Sequence, residues 1–131
     1  MARAPCVPEG SVVYAIGDIH GRDDLLADLH ARIATDAAAV AAARRVLVHL
    51  GDYVDRGPTA RQVVDRLSAT AMAGFETVAL KGNHEAFVQA FLRRGEAAEG
   101  WLANGGAATL FSYGVAPPDP WAGSSSPPAC S

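Results

Sequence analysis

Three times in this chain an apolar, strand-like run leads straight into a short polar motif and then into helix-like sequence. Residues 12–16 run into Gly17-Asp18-Ile19-His20-Gly21, and residues 46–50 into Gly51-Asp52-Tyr53-Val54-Asp55-Arg56-Gly57. Residues 77–80 lead through Lys81 into Gly82-Asn83-His84-Glu85. A strand–helix–strand repeat implies parallel strands, because a parallel pair needs a crossover and the helix supplies it. In such sheets ligands bind beyond the carboxyl ends of the strands. The rhythm therefore predicts an α/β fold with all three motifs on one rim. That rim carries Asp18, His20, Asp52, Asp55, Arg56, Asn83 and His84.

Between the motifs the pattern is helical. Asp23 or Asp24 can cap a helix with Leu25, Leu29 and Ile33 at helical spacing and Leu26 beside them. The Ala-rich stretch 36–43 reads as a short second helix. Pro58 and Thr59 open another, with Val63, Val64 and Leu67 on one face. Residues 85–94 form an amphipathic helix with Phe87, Phe91 and Leu92 inward. Residues 1–10 read as a flexible arm and 11–115 as the folded domain. Residues 116–131, rich in Pro and Ser, read as a disordered tail with little that can pack.

Each motif has a chemical reading and a plain structural one. Asp18 and His20 leave a strand two residues apart and can face one cation; alternatively they are a turn aspartate and a solvated histidine. Asp52 leaves its strand as Asp18 does and can share that site, its two oxygens able to bridge two cations. Arg56 presents a planar fork of donors suited to phosphate, and Asp55 is placed to hold a neighbouring imidazole or Arg56 itself. A surface salt bridge before a Gly57-Pro58 helix start would account for Asp55 and Arg56, but not for charge at a strand end. Asn83 offers a neutral amide oxygen and His84 an imidazole that can donate a proton, although Asn83 could simply cap the helix. His49, inside an apolar run, reads as a core histidine and His30 as a packing residue, since neither has a second ligand beside it. Trp101 reads as core, and Arg44-Arg45 and Arg93-Arg94 as solvated helix ends.

Composition narrows the function classes. The chain has 131 residues, half of them hydrophobic, and a net charge of −3, which suits one domain and argues against a nucleic-acid binder. Cys6 and Cys130 form neither a C-x-x-C pair nor a disulfide framework. No apolar run is long enough to span a membrane, and no signal-like segment opens the chain, so a cytoplasmic location is the expectation.

The motifs G-D-I-H-G, G-D-Y-V-D-R-G and G-N-H-E resemble those of the metallophosphoesterase superfamily, in its phosphoprotein phosphatase (calcineurin-like) branch. The stretch Trp101 to Gly106, W-L-A-N-G-G, resembles bacterial and phage members. The resemblance covers residues 12–114. It implies that Asp18, His20 and Asp52 hold a first divalent metal, and that Asp52 bridges to a second one also bound by Asn83. It further implies that Arg56 binds substrate phosphate and that His84, oriented by Asp55, acts as general acid. The implied reaction is hydrolysis of phosphoserine and phosphothreonine esters, with a hydroxide activated by two metals attacking phosphorus in line. Manganese, iron or zinc would suit the oxygen and imidazole ligands.

In that family the second metal also takes two histidines from later segments, and a second sheet packs on the first. Here only His30 and His49 remain unassigned. The expectation is therefore the N-terminal half of a metallophosphoesterase β-sandwich with flanking helices, a partial domain lacking the second sheet, with one metal well held, weak or no activity, and self-association through an uncovered sheet face. A phosphoprotein or small phosphoester is the expected substrate, with neither nucleic acid nor membrane as partner. Two other readings stand beside it: a diadenosine tetraphosphatase-like hydrolase and a non-catalytic metal- or phosphate-binding remnant.

Overall fold

The computed structural model describes residues 3–69, 72–95 and 98–116; the tail expected from residue 116 lies, beyond its first residue, outside the described residues. The elements run β1 (Ser11–Ile16), α1 (Asp23–Ala38), β2 (Arg44–His49), α2 (Ala60–Ala69), β3 (Glu76–Ala79) and α3 (Asn83–Arg94). A short helix α4 (Ala98–Trp101), a kinked turn (Leu102–Gly106) and α5 (Ala107–Ser112) follow. The strands form one parallel sheet in the order β1-β2-β3, with Tyr14 opposite Leu47 and Leu47 opposite Thr77. This is the α/β architecture that the repeated strand–motif–helix units predict. No helix among the described residues is long and apolar enough to cross a membrane.

Alternation along the strands gives the sheet two unlike faces. One carries Tyr14, Ile16 and Leu47, and packs with Leu26 and Ile33 of α1 and Val63, Val64 and Leu67 of α2 into the core. The other carries Val13 and Ala15 of β1, Val46 and Val48 of β2, and Val78 of β3. Val13, Ala15 and Val78 are exposed there, and Val46 and Val48 only half-buried. Its one charged pair among the described residues sits at the amino end, where Arg44 meets Glu76 at 2.7 Å.

Several local expectations shift once the elements pack. The inward stripe of α1 is Leu26, half-buried His30, Ile33 and Ala37, so Leu25 and Leu29 are exposed. Of the residues expected inward, Leu26 and Ile33 are buried and Leu25 and Leu29 are not, and a histidine stands in the stripe. The Ala-rich stretch is no second helix: α1 runs on to Ala38 and residues 39–43 form an exposed turn and loop. Neither Asp23 nor Asp24 caps α1. Its first amide, at Asp23, donates instead to Thr59 Oγ1 at 2.9 Å. Asp23 turns to Arg66 of α2 (2.6 Å), and Asp24 to Arg22 (2.9 Å). At α3 the cap position is Gly82, with Asn83 the first helical residue. That helix turns His84 fully inward and leaves Leu92 exposed.

Two predictions follow from this packing. The open valine face should drive association of the chain, because a contiguous apolar face gains by leaving water. Sedimentation velocity should show concentration-dependent association of the parent that Val78→Lys reduces; a parent that stays monomeric would mean the face is tolerated in water. The second concerns His30 and His49, whose Nε2 atoms lie 3.0 Å apart beneath the sheet. Burial pushes both imidazoles below their ordinary value of 6.5, His30 being lowered further by His49 and Arg66. The unfolded chain therefore takes up protons at a higher pH than the folded one. Their contribution is intact above about pH 6.5 and is lost as the pH falls toward the lowered folded values. The urea midpoint should drop between pH 7.5 and pH 5, and His30→Gln should flatten that slope.

Candidate metal centre

Tight backbone contacts draw the three motifs together at the carboxyl ends of the strands. The amides of Ile19 and His20 both donate to the Asp52 carbonyl, at 3.0 and 2.9 Å, and the Gly21 amide donates to the Tyr53 carbonyl at 2.8 Å. The first and second motifs are thus laced directly. They approach so closely that a methyl on Gly57 would lie 2.7 Å from the Gly21 carbonyl oxygen, which glycine alone avoids. The second and third motifs meet through Glu85. Its carboxylate accepts the amides of Asp52 (2.6 Å), Tyr53 (2.9 Å) and Gly82 (3.0 Å). Sequence reading gave Glu85 no role beyond its motif, although a Glu at the third position of a helix is a local signal for such capping.

The backbone at the rim is strained. His20, Asp52, Asp55 and Arg56 all have positive φ, at 44°, 56°, 75° and 71°. Non-glycine residues adopt this region only where their surroundings enforce it. All four belong to the first two motifs.

Three of the predicted residues converge most closely. One ligand atom each from His20, Asp52 and His84 lies within 4.8 Å of the other two. The Asp18 carboxylate stands beside them, 3.6 Å from His20 Nε2, with its side chain 67% exposed. The Asn83 amide lies against both Asp52 carboxylate oxygens. With its nitrogen turned toward them it donates at 3.2 and 3.1 Å, and the opposite orientation would present its oxygen there as a ligand. The donor chemistry fits a divalent ion. His20 Nδ1 lies 2.9 Å from the Val54 carbonyl, so that nitrogen carries the proton and Nε2 keeps its lone pair free on the rim. Carboxylate oxygens of Asp18 and Asp52 lie close to it.

His84 has a different partner. Its Nδ1 meets Asp55 Oδ2 at 2.7 Å, and its ring lies edge to face with that of His20, the centroids 4.6 Å apart. Asp55 is completely buried. A carboxylate there requires donors, and it has them. Trp101 Nε1 donates at 2.8 Å and Thr109 Oγ1 at 2.7 Å, while the Asp55 amide donates back to Thr109 at 2.8 Å. The open alternative for Asp55 resolves toward the imidazole, not toward Arg56. Trp101 is core, at 1% exposed, and also a polar support of the site, which its place in the sequence did not reveal. Arg56 stands exposed at the rim, its amide bonded to the Gly105 carbonyl at 3.0 Å. Among the described residues no carboxylate pairs with its guanidinium. His30 and His49 take no part in this centre.

The buried support is testable by removing one donor and keeping the ring. Trp101→Phe should destabilise the fold by about 1–3 kcal/mol, the cost of a buried acceptor left short of a partner. Denaturant unfolding measures it.

No curated protein matches the chain. A family model does: that of the calcineurin-like phosphoesterases matches residues 11–126, which takes in every motif on the rim. With the parallel sheet and a His-Asp-His cluster able to hold a metal where those motifs meet, the chain belongs to the calcineurin-like phosphoesterase family.

Proposed function

We propose that this member of a metal-dependent phosphoester hydrolase family acts on phosphoserine and phosphothreonine esters. The observation that carries the reading is the pair of unlike histidines at the rim. His20 leans on a neutral carbonyl and presents a lone pair, whereas His84 leans on the buried Asp55 carboxylate. The first arrangement suits a metal ligand. The second orients a ring and balances positive charge on it, as a proton donor needs. Asp18, His20 and Asp52 would hold one divalent ion, and Asp52 with Asn83 a second. Such ions, when bound, supply Lewis acidity that lowers the pKa of water and stabilises charge on phosphate oxygens. Arg56, unpaired at the rim, would grip the phosphate with two parallel donors. His84 would pass its Nε2 proton to the leaving oxygen while Asp55 keeps the ring in place.

The complete V-D-R-G and G-N-H-E motifs favour a protein phosphatase over a diadenosine tetraphosphatase-like enzyme, because that relative usually departs at those positions. Turnover of a phosphothreonine peptide against a dinucleotide polyphosphate separates them; preference for the dinucleotide would sink the phosphatase reading. One observation supports the non-catalytic alternative. Among the described residues the candidate ligand group is His20, Asp52 and His84, and with His84 given to proton transfer a second ion would have only Asp52, which is shared, and Asn83, which is neutral.

Manganese is the preferred ion, with iron and zinc also suited to these ligands. Calorimetry should show one Mn²⁺ held with moderate affinity, a second held weakly, and slow hydrolysis of para-nitrophenyl phosphate. Asp18→Asn should remove Mn²⁺ binding. His84→Ala should keep it and lower hydrolysis by roughly 10²-fold or more, the loss typical of a general acid. Two tightly held ions would refute this count of ligands, and unchanged hydrolysis in the His84 variant would refute its role.

A further inference from the structure

We propose that His30, His49 and Met72 form a second metal site, separate from the rim, that binds a soft monovalent ion, Cu⁺. His30 comes from the inward stripe of α1 and His49 from the last position of β2. Their rings cross edge to face at 72°, with the Nε2 atoms 3.0 Å apart. A cavity of about 100 Å³ opens beside them, lined by both imidazoles, Met72, Leu67, Thr77 and Val78. His30 and Met72 also line a wider depression beside Arg66, which provides a path from solvent. What each histidine lacked in the sequence, a second ligand beside it, is supplied by the other.

The spacing suits one ion. Metal–imidazole bonds of about 2.0–2.1 Å in a trigonal array place two nitrogens roughly 3.5 Å apart. The rings need to part only slightly, and the cavity gives them room. Burial holds both rings below their ordinary pKa, which keeps them neutral at neutral pH, as ligands must be.

The donor set selects the ion. No carboxylate lines the cavity with the two rings, Asp65 lying on the wider depression, so hard divalent ions that favour charged oxygen are poorly served there. Asp23, the carboxylate bearing on His30, is engaged by Arg66 at 2.6 Å. The Arg66 charge opposes a divalent ion more than a monovalent one. Zinc prefers four ligands. Two imidazoles and a thioether suit Cu⁺, which accepts soft ligands and low coordination.

The test uses the full chain carrying Cys6→Ser and Cys130→Ser, because free thiols would compete for Cu⁺. Anaerobic titration of Cu⁺ against a chromophoric Cu⁺ chelator should show one ion held per chain. His30→Gln and Met72→Leu, each checked for folding by circular dichroism, should weaken it by at least about tenfold. Asp18→Asn at the rim should leave it unchanged, and X-ray absorption should show nitrogen scatterers with one sulfur. Failure to hold Cu⁺ against the chelator, or full affinity in His30→Gln, would overturn the site. Full affinity in Met72→Leu would overturn the soft-ion assignment, as would loss of Cu⁺ in Asp18→Asn, which would place the ion at the rim. Because the readout is Cu⁺ affinity, it stands or falls independently of phosphoester hydrolysis.

Discussion

The buried carboxylate of Asp55 is the constraint on which the site depends. A charge with no exposure is tolerable only if donors surround it. Those donors come from three places: His84 at the start of α3, Trp101 at the end of α4, and Thr109 in α5. Satisfying one carboxylate therefore fixes where three later segments sit relative to the loop after β2. Removing any donor would loosen the histidine and the loop together. This is why a tryptophan placed for packing also bears on the chemistry of the rim.

The strained backbone of the first two motifs follows from the same crowding. Four non-glycine residues in the left-handed region would relax in an isolated loop. They are held by hydrogen bonds from their own amides, to Asp52, Glu85, Thr109 and Gly105. Asp52 illustrates this: its carbonyl takes two amides from the first motif, its own amide goes to Glu85, and its carboxylate accepts the His84 amide at 3.1 Å. A residue bonded through backbone and side chain to both neighbouring motifs is held in its place on the rim. Preorganisation of this kind lets a centre hold ligands close together without a reorganisation step.

The sheet divides the molecule into parts with different needs. Its helix-covered face holds Leu47 with no exposure and the joined histidines. Its other face shows valines to water. The rim at its carboxyl edge gathers hard donors, while the histidine pair beneath the sheet lies among aliphatic and thioether groups. Two chemically unlike environments thus sit within a few residues of each other on β2, because successive side chains of a strand leave by opposite faces and its end opens onto the rim.

Much was legible in the sequence by itself. The apolar runs and the motifs that end them determined the parallel α/β sheet, the shared rim and the family, because strand pattern and motif order are local properties of the chain. Element ends and inward faces were less legible: Leu25 and Leu29 had the spacing of a core stripe, yet Leu26, His30 and Ile33 face inward. Helical spacing states that a stripe exists, and only the neighbouring elements decide how it is rotated. The donors around Asp55 and the meeting of His30 with His49 were not legible at all. Each joins residues far apart in sequence, and no local pattern records a contact that exists only once sheet and helices have closed on one another.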